Sequence, residues 1–320
     1  MKKQSTLTIL VTLIALTFVL LALTTCGGGD NDNDPDIYIA GWYSDGSKNI
    51  ACYWKNGEKI DLDTVRSEAY AIAVEDGIVY VAGRYFDSGN YKPCYWEDGI
   101  RRELLLPGSS PDVTGIAVEN GNVYVSGRYF DSSNYKACYW HDTAKTDLTG
   151  GSNAYAIAVA GGTVYVAGTE GANAFYWKNA TTKTPLSAGG EAHAITVAGG
   201  TVYTAGFVSD KACYWRDTTH FQISTETSRT YTIAVVNGTV YTAGHTGGAS
   251  SARACYWKGG IKTPLSSVHS EARAISVRNG DIYVAGWYND GSTFIACYWK
   301  NGEKIDLHSG TSRALAMVVQ

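Results

Sequence analysis

Seven times along this 320-residue chain a Tyr-x-Ala-Gly string returns, with Ser for Ala once. The tyrosines are Tyr38, Tyr80, Tyr124, Tyr165, Tyr203, Tyr241 and Tyr283. A Tyr-Trp pair follows each, with tryptophans at 54, 96, 140, 177, 215, 257 and 299. Spacings of 42, 44, 41, 38, 38 and 42 residues place the chain among repeat proteins before any local argument begins. In the copy from Ile72 to Gly99, two β-prone runs flank Asp76-Gly77, the pattern of a hairpin. A third run, Pro93-Cys94-Tyr95-Trp96, meets a turn at Glu97-Asp98-Gly99, and a short fourth run ends at a leucine. Four short strands per repeat match a propeller blade, which buries its faces only by stacking on neighbours.

The predicted fold is therefore all-β: a seven-bladed β-propeller of four-stranded blades. The repeat begins out of phase with the blade. Asp36 to Tyr43 reads as a second strand and Ser312 to Val319 as a first strand. The C-terminal strand should pair with the N-terminal three and close the ring, leaving no exposed edge at the join. Small residues such as Ala71, Ala73, Gly115 and Ala117 suit the crowded inner strand, and the third-strand tryptophans suit the wedge where blades diverge. Six cysteines (52, 94, 138, 213, 255 and 297) share one place in the repeat, and Phe175 holds it in the fourth copy. A slot that accepts Phe is an apolar one, so these read as buried thiols, with a disulfide or metal set as the alternative.

Lys2 and Lys3 precede an apolar run from about Leu7 to Leu23, and Leu23-Thr24-Thr25-Cys26 follows. Basic start, apolar run and small-residue exit read as an export signal, with an uncleaved N-terminal anchor as the alternative. The exit resembles a bacterial lipoprotein signal peptide, although Thr25 stands where Gly, Ala or Ser is usual. The resemblance implies acylation of Cys26, palmitate among the chains, and a lipid anchor. Gly27 after it implies the outer membrane, periplasmic or surface-facing. The expected organisation is residues 1–25 signal peptide, 26–36 a polar tether (CGGGDNDNDPD), and 37–320 propeller.

The repeats resemble WD-type blades and, more closely, the bacterial extracellular repeat called HAF. The match runs from Ala71-Ile72-Ala73-Val74 through Gly77, Val81 and Gly83 to Cys94-Tyr95-Trp96, Gly99 and Leu104 or Leu105. The Tyr-x-Ala-Gly string and the Tyr-Trp pair depart from the HAF pattern. The regular His and Asp of WD blades are absent, so the signalling roles of that family do not carry over. The HAF resemblance implies an exported propeller without naming a partner or a reaction.

Function should lie where the repeat varies. After the strand-two Gly come Trp42, Arg84, Arg128, Thr169, Phe207, His245 and Trp287; before the inner strand come Tyr70, Thr114, Tyr155, His193, Tyr231, Arg273 and Arg313. Both sets belong to one rim. From them Trp42, Tyr70, Arg84, Arg128, His193, His245, Arg273, Trp287 and Arg313 are the candidate ligand-binding residues, a composition common at recognition surfaces; a merely solvated rim is the competing reading. The loop behind the strand-two Gly spans 11 residues in five copies and seven in copies four and five, which predicts a rim open on one side.

Net charge is −4, or 24 basic against 30 acidic residues once residues 1–25 are set aside, and no basic tract points to nucleic acid. No HExxH, GxSxG, Walker loop or CxxC occurs, and the six histidines lack metal-ligand spacing, so no cofactor, metal or catalytic residue is assigned. Asp45, Asp87, Asp131 and Asp290 recur beside Gly or Ser and read as turn formers. SDGS at 44–47 resembles the aspartate box of sialidases in letters but stands in a different order relative to Trp54. The sequence thus points to a monomeric, membrane-anchored binding or scaffold module for a protein or glycan. The rivals are a polysaccharide lyase or hydrolase acting on the same face, and a purely structural envelope protein.

Overall fold

Turn chemistry sets the strand boundaries. The turn between a blade's third and fourth strands needs two residues in the left-handed region, and Asn56-Gly57 adopts φ of 52° and 88° there. The Asx residue does a second job: Oδ1 of Asn56 accepts the Ile37 N–H at 2.8 Å, tying the turn to the start of strand two. Asp98, Asp142, Asn179, Asp217 and Asn301 repeat this bond in five other blades. Asp45, Asp131 and Asp290 shape outer hairpin tips, each accepting from backbone N–H groups two and three residues on, as turn formers should.

The computed structural model describes residues 34–106 and 109–320; the expected signal peptide, Cys26 and most of the expected tether lie outside them. Among the described residues twenty-eight strands form seven four-stranded antiparallel sheets. Blade 1 combines β1 (Ile37–Ser44), β2 (Asn49–Lys55) and β3 (Glu58–Asp61) with β28 (Ser312–Val319). Blades 2 to 7 follow in chain order, with inner strands Ser67–Glu75, Ser109–Glu119, Asn153–Ala160, Gly190–Ala198, Ser228–Val236 and Ser270–Arg278. The offset read from the sequence is the observed closure. β28 pairs with β1 from Ile37↔Val319 to Tyr43↔Ser312, and Asp36 and Gln320 exchange two backbone hydrogen bonds of 3.0 Å.

Each third-strand Trp is at most 1% exposed and packs against the preceding blade. Trp96 of blade 2 meets Ala40, Ala51 and Leu62 of blade 1; across the closure, Trp54 of blade 1 meets Ala274, Ala285 and Ala296 of blade 7. Truncating such a side chain removes its burial and leaves a cavity, a loss of about 3–5 kcal/mol. Polar stitches run alongside. The hydroxyls of Ser67, Ser228, Ser270 and Ser312 accept the N–H of Ala51, Ala212, Ala254 and Ala296 at 2.9–3.0 Å, each joining an inner strand to the third strand of the blade before. All six cysteines among the described residues are free and buried, as the Phe175 substitution predicts. Burial pushes every one of these thiols up, Cys255 to about 12.

The 11-residue segments on the rim are mostly hairpin, not loop. In blade 2, strands two and three stay paired out to Asp87↔Asn90 around a Ser88-Gly89 turn. Blades 4 and 5 turn back at Gly171-Ala172 and Ser209-Asp210, so their walls are low. Among the described residues no helix is long and apolar enough to cross a membrane.

Candidate functional site

One irregularity recurs in every blade and shapes the candidate site. The register between the first two strands slips by a residue at the top of the inner strand. A β-bulge leaves one residue unpaired and redirects its side chain. It also explains the Gly of Tyr-x-Ala-Gly. A Cβ on Gly206 would lie 1.9 Å from the Glu191 carbonyl oxygen, and the other six equivalent glycines face contacts of 1.9–2.2 Å.

The unpaired residues are Tyr70, Thr114, Tyr155, His193, Tyr231, Arg273 and Leu315. All seven line a single funnel of about 410 Å³ together with Arg84, Asp112, Val113, Arg128 and Ala154. This corrects the repeat alignment at one place. Leu315, not Arg313, stands at the seventh bulge: Ser312-Arg313-Ala314-Leu315 matches Ser67-Glu68-Ala69-Tyr70 residue for residue, which puts Arg313 two positions ahead of the slip. Arg313 instead pairs with Trp42, in a ring of positions otherwise filled by Glu68, Asp112, Asn153, Glu191, Arg229 and Glu271.

That ring was missed, although a charged or amide side chain two residues ahead of every bulge could have revealed it. Its groups hold the funnel lining in place. Glu68 accepts from Tyr70 and from Arg84 Nη2 at 2.8 Å; Asp112 accepts from Arg128 Nε at 2.8 Å and from Arg84 Nη1 at 3.4 Å. Burial pushes the Glu68 carboxyl up, but the Tyr70 and Asn49 hydrogen bonds and the Arg84 charge outweigh it, and the net direction is down. Glu191 pairs with His193 Nε2 at 2.7 Å, and that bond holds its carboxyl below the usual range. Burial keeps the His193 imidazole below its ordinary value despite the carboxylate, so near neutral pH a neutral ring donates to an ionised Glu191. Tyr155 stacks on His193 at 4.5 Å, and burial pushes its hydroxyl, like that of Tyr231, up to about 12.

Of the nine candidate residues, Tyr70, Arg84, Arg128, His193 and Arg273 line the funnel. Trp42 and Arg313 stand beside one another on blade 1, outside the lining. Trp287 and His245 are buried, 3% and 5% exposed, and present no face to solvent; His245 lies 5.6 Å from the lining residue Tyr231, and Trp287 packs on His269 and Phe294. A larger cleft of about 750 Å³ lies between the tall hairpins of blades 2 and 3 and shares Arg84 and Asp112 with the funnel. The low walls of blades 4 and 5 had suggested an opening there; this cleft lies elsewhere because Phe86, Tyr91 and Tyr135 rise on either side of it. No group of three or more His, Cys, Asp or Glu side chains that could hold a metal occurs among the described residues. What the funnel offers is aromatic faces, hydrogen-bond donors and three guanidinium groups against one lining carboxylate.

No protein-family model matches the sequence, and no curated protein matches it. Solved structures do. An acylaminoacyl peptidase in complex with Z-Gly-Gly-Phe-chloromethyl ketone aligns at 13% identity and a TM-score of 0.51, over 87% of this chain and 51% of that one. The Pyrococcus horikoshii acylaminoacyl peptidase aligns at 13% identity and 0.51, over 85% and 50%. A Trypanosoma rangeli sialidase in complex with sialic acid gives 11% identity and 0.45, over 77% and 55%. This chain spans about half the length of those peptidase chains. Likeness at this identity establishes the propeller fold alone.

Proposed function

We propose that this protein is an exported binding module, held at a bacterial outer membrane by acylated Cys26 and the tether 26–36, that takes a glycan or protein ligand in the axial funnel. The observation that carries the reading is convergence: seven bulges, one per blade, deliver seven side chains of five residue types to one cavity. Packing alone would favour one repeated residue there, as it does at the third-strand Trp. A concave site of a few hundred cubic ångströms with a few polar groups among aromatics is the usual form of a ligand pocket. The anchor rests on the lipoprotein-like signal, and the export on that signal and the HAF resemblance.

The test is capture on glycan and peptide arrays by the full chain in detergent, wild type beside a Tyr155→Ala, Tyr231→Ala double variant. Binding that the variant loses supports the reading. Equal capture by both, or none by either, overturns it, and the latter outcome leaves the structural envelope role. Mass spectrometry of the mature N-terminus checks the anchor; an unmodified or uncleaved Cys26 removes it.

A second reading is favoured by the hydrogen-bonded Tyr155, His193 and Glu191, because a buried carboxylate–imidazole pair facing a cavity can move protons. It makes the funnel the site of a polysaccharide lyase or hydrolase. Release of oligosaccharides by wild type but not by His193→Gln would establish it; binding without turnover would set it aside.

A further inference from the structure

The two sides of the funnel satisfy their arginines differently. On the blade 2 and 3 side, Arg84 bonds Glu68 at 2.8 Å and Asp112 at 3.4 Å, and Arg128 bonds Asp112 at 2.7 and 2.8 Å and also Asn153. On the blade 7 and 1 side, Arg273 has one long contact, 3.4 Å from Nη1 to Glu271, and stacks on Tyr231 at 4.1 Å. Arg313 has no carboxylate partner among the described residues. It lies against Phe294 at 4.6 Å, Trp287 at 4.8 Å and Trp42 at 5.8 Å.

Missing acceptors collect in the same sector. Eight buried side-chain N or O atoms lack a partner among the described residues, and three are Arg273 Nε, Arg313 Nε and His245 Nδ1. Buried donors are nearly always paired, so Arg273 Nε, unpaired on a residue of the funnel wall and with the unpaired Arg313 Nε behind it, marks the place of an absent acceptor. The two arginines also weigh on each other. Burial first, and the Arg273 charge among the lesser causes, lowers the Arg313 guanidinium, with Glu271 and Glu68 opposing. An anion at this wall would relieve both the repulsion and the unmade bonds.

We infer that Arg273, backed by the Arg313 charge, is a carboxylate subsite in the funnel wall, and that the ligand is an acidic sugar bound through its uronate carboxylate. The inference rests on the funnel being the binding site and adds the chemical class. A monoanion fits because Glu271 already offsets one of the two positive charges, and Glu68 and Glu271 repel a dianion such as phosphate. A sugar fits the rest of the cavity. Tyr231 and the stacked Tyr155–His193 pair offer ring faces, and Asp112 and the tyrosine hydroxyls offer hydroxyl partners within about 410 Å³. Planar two-point recognition of a carboxylate is the task to which a guanidinium is best suited.

The experiment is titration calorimetry of the full chain in detergent micelles with glucuronate, galacturonate, glucose and N-acetyl-diglycine, followed by Arg273 variants. A uronate should bind, with glucose weaker by about 10-fold or more, the worth of a charge-assisted bond. Arg273→Gln should remove that preference while Arg102→Gln, an exposed cation on the outer edge of blade 2, keeps it. Arg273→Lys should restore part of it, and thermal melts of each variant separate lost binding from lost folding. Glucose binding as tightly as glucuronate, a preference that survives Arg273→Gln, or binding of the peptide acid without any uronate would each overturn the inference. So would no binding by any probe. If glucose binds equally and Tyr155→Ala abolishes both, the funnel reading stands and only the carboxylate subsite falls.

Discussion

Two rings of seven residues run through this molecule, and they obey opposite rules. The third-strand ring is Trp seven times over, each at most 1% exposed against the blade before it. The bulge ring, at the top of the inner strand, is three Tyr, Thr, His, Arg and Leu around one cavity. A position that solves the same packing problem seven times keeps one residue. A position whose seven copies face a common space is free to diversify, because each copy contributes a different part of one surface. Identity in a repeat marks the scaffold, and variation at a fixed structural place marks the candidate site.

The contrast is broken most severely at the scaffold ring. Trp299→Ala, at the interface of blades 6 and 7, should reduce stability by about 3–5 kcal/mol, read from denaturant melts. Gly206→Ala comes next: its methyl group meets the Glu191 carbonyl at 1.9 Å and should cost about 3 kcal/mol by forcing the bulge to move. Ser312→Ala leaves the buried Ala296 N–H without its acceptor at the closing blade, a loss of about 1–3 kcal/mol. Tyr231→Ala, half-buried in the funnel lining, should stay within about 1 kcal/mol of wild type. If Tyr231→Ala destabilised as much as Trp299→Ala, the two rings would not differ in role.

Acid sharpens the comparison from the other side. Glu191 and His193 are both lowered in the folded protein, the first by their mutual hydrogen bond and the second by burial. Lowered groups contribute stability that is complete above their unfolded values, about 6.5 for histidine, and that is lost as pH falls through the folded ones. The melting temperature should therefore be flat from about pH 7 to 8.5 with respect to this pair and decline below about 6.5, with a shallower decline in His193→Gln.

The scaffold was legible because its chemistry repeats. Tyr-x-Ala-Gly, Asx-Gly and Tyr-Trp each report a local constraint, and seven copies expose the period and the offset closure. The site was legible only in part. Sequence places Tyr70, Arg84, Arg128, His193 and Arg273 at one rim, and the funnel gathers all five. It could not show the bulge, since one unpaired residue leaves no mark in spacing; Leu315 itself was legible, because Ser312 to Ala316 repeats the Ser-x-Ala-x-Ala order of Ser67 to Ala71, and Arg313 stands two positions out of that register. Nor could it show that Trp287 and His245 are buried, because exposure at the rim depends on neighbours distant in the repeat, His269 and Phe294 for Trp287 and Tyr231 for His245. The acidic ring at Glu68, Glu191 and Glu271 became meaningful only once its partners were in view.

The most direct test pairs stability with ligand capture in two proteins: a Tyr155→Ala, Tyr231→Ala, Arg273→Gln triple variant and Trp215→Ala. The triple variant should melt within about 4 °C of wild type and lose capture, because about 2 kcal/mol moves the midpoint of a chain this size by only a few degrees. Trp215→Ala should melt far lower, yet its folded fraction should capture ligand as wild type does. A triple variant that binds normally, or one that melts as low as Trp215→Ala, would contradict the division between scaffold and site.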